Sequence, residues 1–378
     1  MILTETQEMV RDSARDFART HVLPHARAWE QACAFPPELL RQMGALGFFG
    51  MTVPEDEGGG GLDYVSYALA LIEIAAGDGA LSTLMSVTNA PVCAILLAQG
   101  STDQKERFLK PLARGEMIGA FALTEPHAGS DAASIRMLAR RVDGGYRLDG
   151  TKQYITSGAI AGVTIVFAVT DPDAGKRGIS AFLVPRDTPG LSVSRIEKKL
   201  GQAASDTAQL QFDDVFVGEG LRIGAEGEGY RLALANLEAG RIGIAAQSVG
   251  MARAALEIAT RYAQERRSFG KPLAEHQAVL FRLADMRTGL TAATQLLLHA
   301  AALRDVKRPC LAEACMAKLF ASETAERICS DALQILGGYG YTTDSAIEKI
   351  YRDVRVCQIY EGTSDIQRLL IGRSIMSG

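Results

Sequence analysis

Apolar positions in the first third of the chain recur at helical spacing. Val10, Ala14, Phe17 and Ala18 share one face behind Thr4 and Gln7, which stand at capping-box spacing. Pro36-Pro37 restarts a helix that stops at Gly44 or Gly47, and Gly58 to Gly61 reads as an open loop. Two apolar helical stretches follow, over 63–76 and 80–99. A second capping pair, Ser101 and Gln104, opens a helix that ends near Arg114. Near Met117 the period shortens. Segments 162–170, 179–185, 191–197 and 207–217 are strand-like and rich in Val, Ile and Phe, Asp143-Gly144-Gly145 is a hairpin turn, and 171–175 is a loop. From about Glu228 the helical period returns, with one helix over 228–264 of roughly 55 Å and others over 273–304, 310–336, 344–357 and 363–376. The pattern predicts an α+β chain in three parts: an N-terminal helical domain (1–116), a central β domain, barrel or sandwich (117–225), and a C-terminal helical bundle (226–378).

Length and composition agree with this division. At 378 residues the chain exceeds one ordinary core, and 47% hydrophobic with 22% charged residues is a globular balance. A net charge of −4 gives no electrostatic reason to expect nucleic acid or an anionic membrane as partner. The run 69–76 is broken by Glu73 and the run 158–169 is strand-like, so no apolar run is expected to cross a bilayer. The start of the chain lacks the basic-then-apolar order of a secretion signal and carries Glu5 and Glu8, which points to the cytoplasm. Six scattered cysteines form no C-x-x-C pair and are expected as reduced, buried thiols.

Several patterns point away from other chemistries. His21 and His25 have i, i+4 spacing, but Pro24 breaks the helix and no third ligand is placed, so no metal is expected. The other histidines stand beside no nucleophile motif. The glycines at 224, 227 and 229 open a helix without a βαβ setting, so NAD is not indicated.

The segment LTEPHAGSD at 123–131 would suit a polar connecting loop by composition alone. As a string it resembles the signature of the acyl-CoA dehydrogenase family. The resemblance extends through KQYITS (152–157), ERRSFGKP (265–272) with HQA (276–278), QILGGYGY (334–341) and IYEGTSDIQR (359–368), in the family's order over nearly the whole chain. It implies an FAD-dependent enzyme that converts an acyl-CoA thioester to a trans-2-enoyl-CoA and passes electrons to an electron-transferring flavoprotein.

The same resemblance assigns residues. Phe121, Leu123, Thr124, Gly129 and Ser130 would line the flavin, with Ser130 also near the acyl-CoA. Tyr154, Ile155 and Thr156 would follow, Tyr154 standing where the family usually has Trp and Ser157 where it usually has Asn. A reduced flavin gains negative charge, and fixed hydroxyl and N–H donors such as Thr124 and Thr156 would stabilise it without reorganising. Arg266, Ser268, Phe269 and Gln277, with Gln334, Ile335, Gly337 and Gly338, match positions that bind FAD across a subunit boundary. That implies a homo-oligomer, in the family a tetramer built as a dimer of dimers. Thr363 and Asp365 would also approach the cofactor.

Glu361 matches the family's usual catalytic base, which would take the pro-R α-proton while the β-hydrogen leaves as hydride. Burial would lift its pKa toward roughly 6–7, against a smaller opposite pull from the helix that follows. Some members place the base on the long helix instead; that position here is Gly240, which has no side chain. Glu238, Arg241 and Gly362 match substrate-side positions. Short or medium, possibly branched, acyl groups are expected. Three other activities share the fold: a flavin oxidase or monooxygenase, a non-catalytic relative, and a specialised acyl-CoA reductase or desulfinase.

Overall fold

The computed structural model describes residues 2–377. Eight helices come first: α1 (Glu5–Phe17), α2 (Ala26–Ala32), α3 (Pro37–Ala45), α4 (Tyr64–Gly77), α5 (Gly79–Val87), α6 (Ala94–Gln99), α7 (Thr102–Gln104) and α8 (Lys110–Ala113). Both capping boxes form, Thr4 with Gln7 and Ser101 with Gln104. Asp63 and Asp78 cap α4 and α5 by accepting from Ser66 N and Leu81 N.

An eight-stranded sheet follows: β1 (Gly119–Ala122), β2 (Leu138–Val142), β3 (Gly145–Thr156), β4 (Val163–Val169), β5 (Ile179–Pro185), β6 (Leu191–Ile196), β7 (Thr207–Gly218) and β8 (Arg222–Ile223). Its order is β6-β7-β3-β2-β4-β5-β8, with β1 parallel to β4 and most other pairings antiparallel. The continuous apolar run of β4 is explained by cover on both faces. Ile165 and Phe167 join a core shared with α6 and α8, whereas Val166 and Ala168 face the sheet's own interior. The segment read as a loop at 171–175 tightens into a 3-10 turn over Pro172–Gly178.

The remainder is α9 (Gly229–Glu265), the two-residue ribbon β9 (Arg267–Ser268) and β10 (Lys271–Pro272), α10 (Gln277–Asp305), α11 (Leu311–Leu336), α12 (Ala346–Val354) and α13 (Ser364–Ser377). The long helix forms as one piece, 37 residues without a break. It is buried almost all round between Ala239 and Leu256, because α4 and α5 cover one side and α10 and α11 the other. The N-terminal and C-terminal helices therefore share one continuous core, in which Tyr67 and Leu71 meet Ile242, Leu297 and Ile328.

Two expectations need correction. The stretch Gly79–Gln99 is in fact long and apolar enough to cross a membrane by length and composition; here it is a core element, with most of it buried inside the fold. The continuity of this stretch, with α5 and α6 joined through a helical turn at Thr88–Cys93, matches the helix expected over 80–99; what the bilayer expectation left out is its apolar length. Of the six thiols five are buried, but Cys33 is exposed at the left-handed end of α2. No cluster of metal-ligating side chains forms among the described residues.

Candidate active site

Glu361 stands in a turn between a 3-10 segment (Arg355–Gln358) and α13, with a left-handed backbone (φ 55°). Gly362 continues the turn at φ 89°. A charged residue held left-handed is strained, and such strain persists only where surrounding contacts over-determine it. They do so here. The Gly362 carbonyl accepts from Lys318 Nζ at 2.7 Å and from Gln367 Nε2 at 2.8 Å, and Gln367 Nε2 also reaches the Glu361 carbonyl at 3.2 Å. Thr363 caps α13 by accepting from Ile366 N.

On the other side the turn is anchored through Tyr360. Its hydroxyl donates to Gln247 Oε1 on α9, and Gln247 Nε2 donates to the Gly79 carbonyl at 2.7 Å and to Thr83. Thr83 Oγ1 donates to Gln202 Oε1 at 2.7 Å, and Gln202 Nε2 to the Asp353 carbonyl at 3.1 Å. Asp353 is then tied by Lys349, at 2.5 Å, to Asp78 at 2.8 Å. This buried polar chain joins α5, the loop after β6, α9 and α12 to the residue before Glu361. Sequence reasoning missed it, because it is assembled from five distant segments.

The carboxylate itself is poorly solvated. Its Oε2 is buried with no hydrogen-bond partner. Burial pushes the Glu361 carboxyl up to about 7, against opposing pulls from Arg241 and Lys318. The nearest wall is Gly240 of α9: a Cβ built there would stand 2.8 Å from Glu361 Cδ and 3.0 Å from Oε1, and closer still to Oε2. One turn on, Gly243 faces Ser86 and Tyr67, whose hydroxyls are 3.2 Å apart. The helix thus shows a side-chain-free strip to the carboxylate, lined across by α4 and α5.

Other predicted residues fall in two groups. Phe121, Leu123 and Thr124 lie on and just after β1, and Gly129 and Ser130 on the exposed turn beyond. That turn is tied down by Glu125, which accepts from the backbone N–H of Arg136 (2.7 Å) and Met137 (3.0 Å) and pairs with the buried Lys152 of β3 at 2.7 Å. Lys152 also donates to the Leu123 carbonyl at 3.0 Å. Beside it, β3 slips register against β7 between Lys152 and Ile155. The bulge turns Tyr154 outward at φ 59°, 61% exposed, while Ile155 remains in the sheet core. Tyr154 is therefore outside the core. Ser157 is buried, left-handed (φ 60°), and its hydroxyl has no partner.

The second group lies at the far end of α9. Arg266 stacks over the Tyr339 ring at 5.8 Å, which brings the β9–β10 ribbon beside the Gly337–Tyr341 turn. Phe269 at the ribbon tip is 95% exposed with φ 48°, and Gln277 at the start of α10 and Gln334 near the end of α11 are exposed. Ile335 points into the helical core. Gly337 ends α11 at φ 60°, the helix-stop role its composition suggests, and Gly338 has open space before it. Glu238 is engaged by Arg304 at 2.8 Å and Cys310 at 3.2 Å. Arg241 is buried beside Glu361 with its Nε unpartnered, and Asp365 is exposed. Of eight left-handed non-glycine residues among those described, four belong to these motifs: Tyr154, Ser157, Phe269 and Glu361.

A helix–sheet–helix chain with a desolvated carboxylate set against a bare strip of its central helix has the build of a proton-abstracting oxidoreductase. Three family models match in succession: "Acyl-CoA dehydrogenase, N-terminal domain" over residues 4–116, "middle domain" over 120–215 and "C-terminal domain" over 227–376. The chain belongs to the acyl-CoA dehydrogenase family of flavoprotein oxidoreductases. It is 47% identical over 378 residues to an acyl-CoA dehydrogenase of Bacillus subtilis, covering 100% of both chains. It is similar to the solved butyryl-CoA dehydrogenase of Megasphaera elsdenii (38% identity, TM-score 0.98, 100% of this chain and 99% of that one). It is also similar to a chain in a structure described as the electron transferring flavoprotein of Acidaminococcus fermentans (40% identity, TM-score 0.99, 100% of both).

The residues present fit a flavin. An outward aromatic face at Tyr154, the partly accessible Phe121 and Thr124 and the orphaned Ser157 hydroxyl surround the anchored turn, and Arg266 supplies a cation suited to a pyrophosphate. Tyr154→Ala is expected to leave folding intact, because the ring is outside the core. It should weaken FAD binding two- to tenfold, the range that an aromatic contact of about 0.5–1.5 kcal/mol allows. Titration of apoprotein with FAD checks this; unchanged affinity together with an unchanged flavin spectrum would make Tyr154 structural.

Proposed function

We propose that this chain catalyses FAD-dependent α,β-dehydrogenation of a short acyl-CoA thioester, yielding the trans-2-enoyl-CoA. The observation that carries the proposal is the Glu361 carboxyl. It is held at a fixed turn, its Oε2 lacks any partner, and burial brings it to about 7. A carboxylate at that value is half available at neutral pH and is a stronger base than one in water. Glu361 takes the α-proton, the α and β C–H bonds break, and the carbon–carbon double bond forms. FAD, when bound, would supply the acceptor for the β-hydrogen, which leaves as hydride. Thr124, Thr156 and Tyr154 would hold its ring system, and Arg266, Ser268, Phe269 and Gln277 would serve the pyrophosphate and adenine end. The Gly240–Gly243 strip, Tyr67 and Ser86 give room for the acyl group beside the base.

The exposed Phe269, Tyr339 and Tyr341 on one face support a homo-oligomer in which this face completes a neighbour's cofactor site. Electrons pass to an electron-transferring flavoprotein, a reading supported by the similarity to the Acidaminococcus chain. Unpaired thiols suit a reducing cytoplasm. The short-chain preference rests on the likeness to butyryl-CoA dehydrogenase.

The test is a panel of acyl-CoAs with the purified protein and an artificial electron acceptor. A yellow protein with one FAD per chain, turning over C4 to C6 substrates and consuming little oxygen, is the expected result. A colourless protein, or turnover that consumes oxygen stoichiometrically, overturns the reading.

A further inference from the structure

Lys318 lies on α11 with its side chain fully buried, and none of the roles assigned above uses it as chemistry. Its one hydrogen bond, to the Gly362 carbonyl at 2.7 Å, is to an oxygen that already accepts from Gln367 Nε2 at 2.8 Å. The carbonyl has two lone pairs, so the two donors hold it from both sides. Lys318 forms no ion pair within 4.0 Å among the described residues, unlike the buried Lys152 and Lys349, each of which is clasped by carboxylates. An ammonium buried with a single hydrogen bond and no contacting anion is costly for a fold to retain. What is distinctive about it is its charge, and its acidic neighbour is Glu361.

We propose that Lys318 is a positioning residue for Glu361: it holds the Gly362 carbonyl so that the turn presents the carboxylate, and it sets a buried positive charge beside that turn. The proposal rests on the dehydrogenase reading above.

The groups around the pair come from each packed element. Arg241 faces it from α9, Cys315 from α11 itself, Cys357 from the 3-10 segment and Tyr67 from α4. Among them only Arg241 and Lys318 are cationic, and both lower the Glu361 carboxyl. Burial in turn pushes the Lys318 ammonium down to about 8, so it is still mostly charged at neutral pH. The sign follows directly. Removing the Lys318 charge leaves Arg241 alone against the burial of Glu361, the carboxyl moves above about 7, and the base becomes protonated over a wider range of pH.

The experiment follows the rate of flavin bleaching by a good acyl-CoA, anaerobically, between pH 6 and pH 9.5. It compares the FAD-loaded wild type with Lys318→Met, Lys318→Gln and Lys318→Arg. FAD content and melting temperature are measured alongside. Expected for Met and Gln is an acid limb displaced upward by about one pH unit, hence a roughly fivefold slower rate at pH 7, approaching tenfold at pH 6, that recovers by pH 9.5. The Arg variant, which keeps the charge, keeps the limb near the wild-type position. A uniform loss at every pH with the limb in place would mean a purely structural lysine and overturns the proposal. If the neutral variants do not fold, the Lys318 ammonium is titrated by NMR in the wild type and in Glu361→Gln: a value that falls in the variant supports the proposal, and an unmoved value overturns it. A wild type that no acyl-CoA bleaches would sink the dehydrogenase reading, whereas a bleached wild type with unmoved variants sinks only the role of Lys318.

Discussion

Glu361→Gln is expected to fold, to keep its flavin, and to bleach with acyl-CoA at least roughly 10³-fold more slowly than the wild type, the scale on which loss of an aligned general base operates. Glutamine preserves the shape of the side chain. It also relieves an unfavourable feature, because the buried Oε2 has no hydrogen-bond partner and the carboxyl is already poised to take up a proton. Stability at neutral pH should therefore not fall. The sign can be checked through linkage. The folded-state value of about 7 lies above the ordinary glutamate value of 4.5. This group therefore lowers stability once pH exceeds the ordinary value, with the full penalty present above about 7. The Gln variant should gain relative to wild type over that window, as read by melting temperature at pH 5 and at pH 8. No second carboxylate is available at the other known base position, which is Gly240. Near wild-type bleaching would remove Glu361 from the mechanism even though the family stands.

The second large effect is expected at Gly240 itself. Alanine there is a better helix former by about 1 kcal/mol, and Gly240 lies within the regular α9 helix, so melting temperature should hold or rise. Activity should move the other way. The new methyl would occupy the space of the Glu361 carboxylate, which must swing aside. A displacement on the order of 1 Å at a reacting group can cost about 10²-fold, and that loss in kcat is the expected result. The two variants test each other. In the Glu361→Gln background, Gly240→Ala should add little, since no base remains to be displaced. Independent, multiplying losses would show that Gly240 acts on something other than the carboxylate.

Much of the fold was legible because local rules were strong. Thr4–Gln7 and Ser101–Gln104 announce helix starts through their own hydrogen bonds, and the alternation in β7 needs only a neighbour on each side. The short strand β1 was missed: Gly-Ala-Phe-Ala has little strand propensity, and only pairing with β4 makes it a strand. The exposed Cys33 was misjudged for the same reason, because exposure depends on what the rest of the chain covers.

The ionic residues of the site divide along the same line. Glu361 stood out within a contiguous motif. Lys318 sits among Ala314, Ala317 and Ala321 on the buried face of α11, so a helical wheel carried a signal that went unused. Lys152 with Glu125, and the chain from Tyr360 through Gln247, Thr83 and Gln202 to Asp353, carried no such local mark.

What the sequence determined by itself is most of the elements, the family motifs and the place of Glu361 within one of them, since each is written in contiguous residues. What only the tertiary structure decided is the state of that carboxylate. Its desolvation, its left-handed turn, the bare wall of Gly240 and the cations at Arg241 and Lys318 come from three separate segments brought together by a common core. Burial and electrostatic interaction act through space, and no local pattern along the chain encodes them.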